Sequence, residues 1–254
     1  MSAATAGSVR GPIRHVEYVM GTAVTIDVRD PRVGAGAVDA VVSWLHTVDA
    51  TFSTYRPDSA ISRLDRGEVG LADCPDTVRS VLERCEELRV ETVGYFDPRY
   101  AGRLDPSGLV KGWSIEQADQ ILQAAGSRAH CLNAGGDVLA RGRPAPGRWW
   151  RVGIADPHDR SRLATVVEGA DIAVATSGTA ERGAHVVDPR TGEPATGWAS
   201  VTVVGPDLPT ADAYATAALA MGDQAREWLA GRTGFEAYAI APDGTTWATP
   251  GFPR

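Results

Sequence analysis

Asp212 and Thr216 are two oxygen-bearing side chains four residues apart in an alanine-rich stretch that follows Thr210. A spacing of four places both side chains on one face of a helix. A carboxylate and a hydroxyl, with nearby carbonyls and water, form the oxygen set that Mg²⁺ prefers. In the alternative interpretation, Asp212 only complements the helix dipole and Thr216 packs inside the protein. On the spacing alone, this structural alternative is favoured.

Lys111 is the only lysine in a chain whose 25 basic residues are otherwise arginine. It lies in a glycine-containing turn, 104–113. The residues that follow, 114–117, have capping-box spacing, which predicts a helix start at Ser114. Backbone N–H groups at a helix start, beside an ammonium, suit a phosphate. The order is Lys-Gly and no GxxxxGK is present, so the segment is not a P-loop. A turn with a surface lysine is an equally good interpretation.

Two further segments combine glycine, serine and histidine. The double glycine of 133–137 permits close approach of a ligand to the backbone, or it forms a hairpin turn. Ser177 and His185 together suggest a hydrolase, but the G-x-S-x-G pattern is missing around Ser177, which disfavours a serine triad. His185 precedes an Asp-Pro-x-x-Gly turn at 188–192, so it is either a core histidine or a catalytic group at a strand end.

Composition limits the classes of protein that fit. With 254 residues, 43% hydrophobic and 22% charged, the chain is typical of a globular protein that buries one core. The net charge of −7 argues against nucleic acid as a partner. The three cysteines contain no CxxC pair, so neither a zinc site nor a disulfide framework is indicated. No apolar run suits a membrane span, signal peptide or lipobox, which predicts a cytoplasmic protein unless a leader has been removed.

The elements that must position these residues are predicted from periodicity. Alternation predicts a strand over 22–28, and helical spacing predicts helices over 37–50, from Pro75, and from Ser114 to Gly126. An alanine-rich helix is expected after Thr210. Further strands are expected at 130–133, 149–154, 171–176, 185–188, 199–204 and 235–241. Grouped helices and strands favour an α+β fold: one compact domain, 15–254, with mixed or antiparallel sheets and flanking helices, after a flexible N-terminus, 1–14.

Eight motifs follow one another in an order that resembles the ApbE family, the FAD:protein FMN transferases, over nearly the whole chain. They are 20–22 (MGT), 52–64 (FSTYRPDS and ISRL), 96–98 (FDP), 105–112, 133–137 (NAGGD), 176–178 (TSG), 185–192 and 212–216. Each motif alone is weak, and their shared order carries the resemblance. Family members commonly have a longer stretch where this chain has 99–104, and Arg99 and Ala180 also depart from the family pattern.

The resemblance implies a role for each candidate residue. Asp212 and Thr216 would be side-chain ligands of Mg²⁺, completed by the carbonyls of Gly108 and Ala215. FAD would be contacted by Met20, Tyr55, Asp97, Asp105, Lys111, Gly135, Ser177 and His185. His185 would act as general base, and Lys111 would add positive charge at the pyrophosphate. The implied reaction is attack of a threonine or serine hydroxyl of a target protein on the FMN phosphorus of FAD, with AMP expelled.

The resemblance also implies partners and leaves alternatives open. The acceptor would be a protein with an FMN-binding-type domain or a (Ser/Thr)-Gly-Ala-Thr motif, and the chain itself would be a monomer or a homodimer. With water as nucleophile, the same site would be an FAD pyrophosphatase that gives FMN and AMP. A non-catalytic flavin-binding protein is the other alternative. The chain is not expected to be an acceptor, because 177–180 does not match the acceptor motif.

Overall fold

The structure is a computed structural model that describes residues 11–100, 102–179 and 186–253. Its strands are β1 (Ile13–Val19), β2 (Thr22–Val28), β3 (Arg99–Tyr100), β4 (Arg103–Leu104), β5 (His130–Ala134), β6 (Asp137–Arg141), β7 (Trp150–Ala155), β8 (Leu163–Gly169), β9 (Ile172–Gly178), β10 (Ser200–Gly205), β11 (Glu236–Ile240) and β12 (Thr246–Ala248). Its helices are α1 (Ala35–Phe52), α2 (Ala60–Asp65), α3 (Asp76–Glu91), α4 (Ser107–Ala124), α5 (Leu208–Met221) and α6 (Ala225–Ala230), with short 3₁₀ turns at Leu71–Asp73 and Gly222–Gln224.

Eight of these strands form one antiparallel sheet in the order β1-β2-β5-β6-β9-β10-β11-β12. The pairs β3–β4 and β7–β8 are separate antiparallel hairpins. Different elements pack against the two faces of the large sheet. Leu139 and Ala175 belong to the main core with the helices, whereas their neighbours Val138 and Val174 pack with the β7–β8 hairpin. Because side chains alternate between the two faces along each strand, one face of the sheet packs against helices and the other against the β7–β8 hairpin.

Local periodicity accounts for the elements that the sequence predicts well. Val24, Ile26 and Val28 alternate along β2 and are fully buried, and β2 has the predicted bounds. The apolar stripe of α1 faces the core over the predicted 37–50, and the helix extends two residues beyond each end of this range. The α+β class with antiparallel sheets and flanking helices is confirmed. No helix among the described residues is long and apolar enough to cross a membrane.

The predicted start of the third helix at Ser114 is wrong. Helix α4 begins at Ser107, whose N–H donates to Asp105 Oδ1 at 2.9 Å. Ser114 lies inside the helix, and its hydroxyl donates to the carbonyl of Lys111 at 2.8 Å. The glycines at 108 and 112 suggest a turn in the sequence, but in the structure they serve close packing within a helix. The predicted end is confirmed, because Gly126 follows α4 with φ of +92°.

Other boundaries differ because signals outside the apolar pattern set them. Helix α5 begins at Leu208, before the expected Thr210, since the Asp207 carboxylate accepts the Thr210 N–H at 2.9 Å and caps it. Strand β1 begins at Ile13, inside the range 1–14 that was predicted to be flexible. Positions 1–10 lie outside the described residues.

Candidate active site

Two hairpin turns lie side by side at one end of the large sheet. Met20 and Gly21, with φ of +54° and +70°, form the β1–β2 turn, and Gly135 and Gly136, with φ of +58° and +100°, form the β5–β6 turn. The Gly135 N–H donates to the carbonyl of Ala23 at 3.2 Å. A Cβ at Gly135 would lie 2.6 Å from Thr22 Oγ1. The glycine pair therefore makes a hairpin turn, and the group that it approaches closely is the neighbouring β1–β2 turn.

A buried charge cluster lies where α4, α5 and β6 meet. Lys111 Nζ is 2.5 Å from Asp137 Oδ2 and 3.7 Å from Asp212 Oδ1. Both carboxylate side chains are buried, whereas the lysine side chain is 33% exposed. Asp137 is further fixed by the N–H of Thr176, which donates to its Oδ1 at 3.0 Å. The ammonium thus lies against two buried acids at the end of a side chain that is one-third exposed.

Asp137 is absent from the residues predicted for the site, although it ends the 133–137 motif. Its position directly after the double glycine is the one local signal that could have identified it. Its partner Lys111 lies far away in sequence, so the pair forms only when α4 packs against the sheet.

The electrostatics of the cluster favour an additional positive charge. The pKa of Asp212 is raised to about 7, chiefly because the carboxyl is buried and also because Asp137 carries a negative charge nearby. The ammonium of Lys111 and a hydrogen bond from the backbone N–H of Gly112 act in the opposite direction. When both acids are ionised, one ammonium faces two carboxylates. A cation bound here would therefore stabilise the ionised form of Asp212.

The predicted metal residues come together beside this cluster. Asp212 Oδ2 is buried and makes no hydrogen bond within the described part of the chain. Thr216 Oγ1 lies 3.1 Å from Ser177 Oγ, and a Cβ built on Gly108 would lie 3.9 Å from Thr216 Oγ1. An unsatisfied carboxylate oxygen near a hydroxyl suits a hard cation. Within 11–100, 102–179 and 186–253, no three His, Cys, Asp or Glu side chains are arranged to hold a metal, so such a cation would depend on neutral oxygens beside Asp212.

Among the remaining predicted contacts, Asp97 and Asp105 flank the β3–β4 hairpin and Tyr55 lies on the surface. Asp97 and Asp105 are brought together by the β3–β4 hairpin, where the Asp105 N–H donates to the carbonyl of Pro98 at 2.7 Å. The Asp97 carboxylate accepts the N–H of Arg99 at 2.7 Å. Tyr55 is 93% exposed and takes no part in the buried cluster. Among the described residues, Tyr55 therefore lies on the protein surface.

His185 lies outside the described residues, so its predicted role as a base is not tested by the structure. The turn that follows it has the expected form, because the N–H of Gly192 donates to the carbonyl of Asp188 at 2.8 Å. The hydroxyl of Tyr100 donates to the carbonyl of Gly192 at 3.3 Å. The segment from Val186 onward therefore contacts the β3–β4 hairpin that carries Asp97 and Asp105 at its ends.

Comparison with known proteins identifies the same family over most of the chain. A sequence model of the ApbE family matches residues 20–103 and 101–239. The FAD:protein FMN transferase of Rhodobacter capsulatus is 32% identical over 230 residues, which are 87% of this chain and 40% of that protein. The FAD:protein FMN transferase of Salmonella typhimurium is 29% identical over 162 residues, or 59% of this chain and 46% of that protein. The chain spans less than half the length of these curated relatives.

Solved structures share the fold. The ApbE protein of Thermotoga maritima superposes with a TM-score of 0.87 at 21% identity, covering 96% of this chain and 99% of that one. The apo flavinyl transferase ApbE of Pseudomonas stutzeri gives a TM-score of 0.82 at 25% identity, covering 94% and 95% of the two chains. The architecture around the candidate site is therefore that of the ApbE structures.

Proposed function

This chain belongs to the ApbE family, and we propose that it transfers the FMN portion of FAD to a serine or threonine hydroxyl of another protein. The observation that carries this proposal is the ammonium of Lys111, on a partly exposed side chain, paired with buried Asp137 and near buried Asp212, one turn from Thr216. The relatives named FAD:protein FMN transferase support the same activity. We further propose that the acceptor carries an FMN-binding-type domain or a (Ser/Thr)-Gly-Ala-Thr segment.

Mg²⁺ fits the oxygen set described above. The side chains of Asp212 and Thr216 would hold it, with the carbonyls of Gly108 and Ala215. When bound, it supplies charge neutralisation at the pyrophosphate of FAD. Asp212 is suited to this role because its buried Oδ2 makes no hydrogen bond within the described residues, so coordination would satisfy an atom that is otherwise costly to bury.

Lys111 would stabilise negative charge that develops on the phosphates. Its ammonium is compact and its side chain is one-third exposed, which would allow a phosphate oxygen to reach it. Asp137 acts as a positioning residue in this scheme, because its carboxylate anchors the ammonium while the N–H of Thr176 fixes the carboxylate. The charged donor is therefore preorganised before FAD arrives.

The proposed reaction forms one bond and breaks one bond. The acceptor hydroxyl oxygen bonds to the FMN phosphorus, and the bond from that phosphorus to the bridging oxygen breaks. The bridging oxygen leaves with AMP, and the hydroxyl proton passes to a base, for which His185 is the candidate from the family resemblance. The products are AMP and a protein that carries FMN through a phosphodiester.

Product analysis tests this function. The chain is incubated with FAD, Mg²⁺ and an acceptor domain that contains a (Ser/Thr)-Gly-Ala-Thr segment, and nucleotides are quantified by chromatography. We expect AMP to appear in step with labelled acceptor, without free FMN. Equimolar free FMN and AMP with unlabelled acceptor would instead identify a pyrophosphatase, and unchanged FAD would refute both activities.

A pair of aspartate variants provides the control. Asp212→Asn should abolish AMP release because it removes the only charged cation ligand proposed. Asp223→Asn changes an 85% exposed aspartate just beyond the same helix, where the nearest cation is Arg226 at 3.4 Å, and it should leave product formation unchanged. Equal loss in both variants would show that the assay reports folding rather than the site.

A further inference from the structure

Helices α4 and α5 pack antiparallel, with contacts that recur once per helical turn. Glu116 contacts Leu208, the backbone N–H of Gly112 lies beside the carboxylate of Asp212, and Gly108 lies next to Thr216. Each step of four residues along α4 is matched by four residues in the opposite direction along α5. The first of these contacts lies about 12 Å from the last, since a helix rises about 1.5 Å per residue.

Glu116 joins the two helices at the end remote from the candidate cation site. Its Oε2 accepts the backbone N–H of Leu208 at 3.1 Å, and its Oε1 accepts Arg141 Nη2 at 2.8 Å. The side chains of Glu116 and Arg141 are each 18% exposed, so the ion pair is largely buried. The N–H of Leu208 belongs to the first turn of α5, where backbone donors have no partner within the helix. Glu116 therefore holds the start of α5 from outside that helix.

Gly112 shows how closely the two backbones approach at this crossing. A Cβ at Gly112 would lie 2.8 Å from the carbonyl oxygen of Leu208 and 3.0 Å from Pro209 Cα. The helix backbones thus approach each other directly at Leu208, the residue whose N–H Glu116 also accepts. Sliding or separation of α5 would break the Glu116 contact, and closer approach is prevented by the contact at Gly112.

We propose that Glu116 is a positioning residue that sets the axial register of α5 against α4. This register determines how Asp212 and Thr216 on α5 face Gly108 and Lys111 on α4. The inference rests on the proposed function, because it concerns the same cation and phosphate site. Glu116 itself lies two turns from Gly108 and acts only through the relative position of the helices.

Asp119 offers a matched control within the same buried network. Its Oδ2 accepts Arg141 Nε at 2.9 Å, and its Oδ1 contacts His130 Nε2 at 2.7 Å. It is more deeply buried than Glu116, with 1% of its side chain exposed. Its partners lie on α4, β5 and β6, and none of its hydrogen bonds within the described residues reaches α5. A purely stabilising network would thus be damaged at least as much by loss of Asp119 as by loss of Glu116.

The test measures amide exchange and cation binding in Glu116→Ala, Glu116→Gln and Asp119→Asn. Hydrogen exchange of the Leu208 amide should accelerate in Glu116→Ala, should be partly restored in Glu116→Gln, which keeps an acceptor, and should be unchanged in Asp119→Asn. Calorimetric titration of Mg²⁺ into FAD-saturated protein should give a Kd about tenfold weaker for Glu116→Ala, the usual effect of losing one charged hydrogen bond. Asp119→Asn should lower the Tm and leave the Kd for Mg²⁺ within about twofold of wild type.

Two results would overturn the proposal. One is an unchanged Leu208 exchange rate in Glu116→Ala, and the other is the same change of Mg²⁺ Kd in Glu116→Ala and Asp119→Asn. If wild-type protein binds no Mg²⁺, the cation part of the proposed function fails, and the Leu208 exchange rates still decide the role of Glu116. An error in the proposed role of Glu116 and an error in the proposed cation site would therefore give different results.

Discussion

The close contact at Gly112 makes Gly112→Ala a quantitative test of how α4 packs on α5. Alanine favours a helix interior over glycine by about 1 kcal/mol. The new methyl group would, however, lie 2.8 Å from Leu208 O and 3.0 Å from both Leu208 C and Pro209 Cα, all of them backbone atoms. Overpacking of this kind costs about 1–3 kcal/mol, and backbone atoms yield less readily than a flexible side chain. We expect a net loss of about 1–2 kcal/mol in the free energy of unfolding.

Urea denaturation of Gly112→Ala and wild type measures this loss, with Gly36→Ala as the control. Gly36 lies in α1, is exposed, and has no atom within 4 Å of its added Cβ, so that variant should be unchanged or up to about 1 kcal/mol more stable. FMN transfer should fall in Gly112→Ala alone, because α5 moves relative to Lys111. If Gly112→Ala were as stable and as active as wild type, the helix contact and the reasoning built on it would be wrong.

Three further predictions concern the site itself. Lys111→Arg should weaken FAD binding about tenfold or more in a fluorescence titration, because a larger, planar guanidinium replaces the compact ammonium that contacts Asp137 and lies near Asp212. Unchanged affinity would show that this ammonium is not needed to bind FAD. Folding raises the pKa of Asp212 to about 7, so the urea midpoint of the cation-free protein should fall as the pH rises from about 4 through 7. Added Mg²⁺ should restore the midpoint, and a midpoint that is the same at low and high pH would contradict this prediction. His185→Ala should keep the wild-type Tm and FAD affinity, while the rate of FMN transfer falls by a factor of about 10²–10⁴. If this variant instead lost FAD binding and thermal stability together while its folded fraction turned over normally, His185 would be a structural residue.

Elements with strong local periodicity are predictable from this sequence, and the others depend on tertiary contacts. Strand β2 alternates cleanly, so its bounds follow from the sequence. The sequence does not predict strand β1, because this strand lies at the sheet edge and only Val19 among its residues is buried, which leaves no clear apolar pattern. The start of α4 was missed because Gly108 and Gly112 resemble turn residues, whereas their small size serves packing against Phe96 and the backbone of Leu208.

The candidate site is only partly predictable from spacing along one helix. The spacing places Asp212 and Thr216 on one face, but only the order of motifs makes them candidate ligands; the structure places Thr216 beside Ser177 and Gly108. Asp137 could not be found in the same way, because its ion pair with Lys111 joins a strand to a helix. The order of motifs identifies the family, but which buried groups face each other follows only from the packing of α4 and α5.

The central claim is that this chain attaches FMN covalently to another protein. Its most direct test is the intact mass of an acceptor domain after incubation with the chain, FAD and Mg²⁺. We predict a gain equal to the mass of FMN less one water, located at the threonine or serine of the acceptor segment and lost when that residue is replaced by alanine. An acceptor of unchanged mass, while the same preparation converts FAD to free FMN and AMP, would contradict the claim.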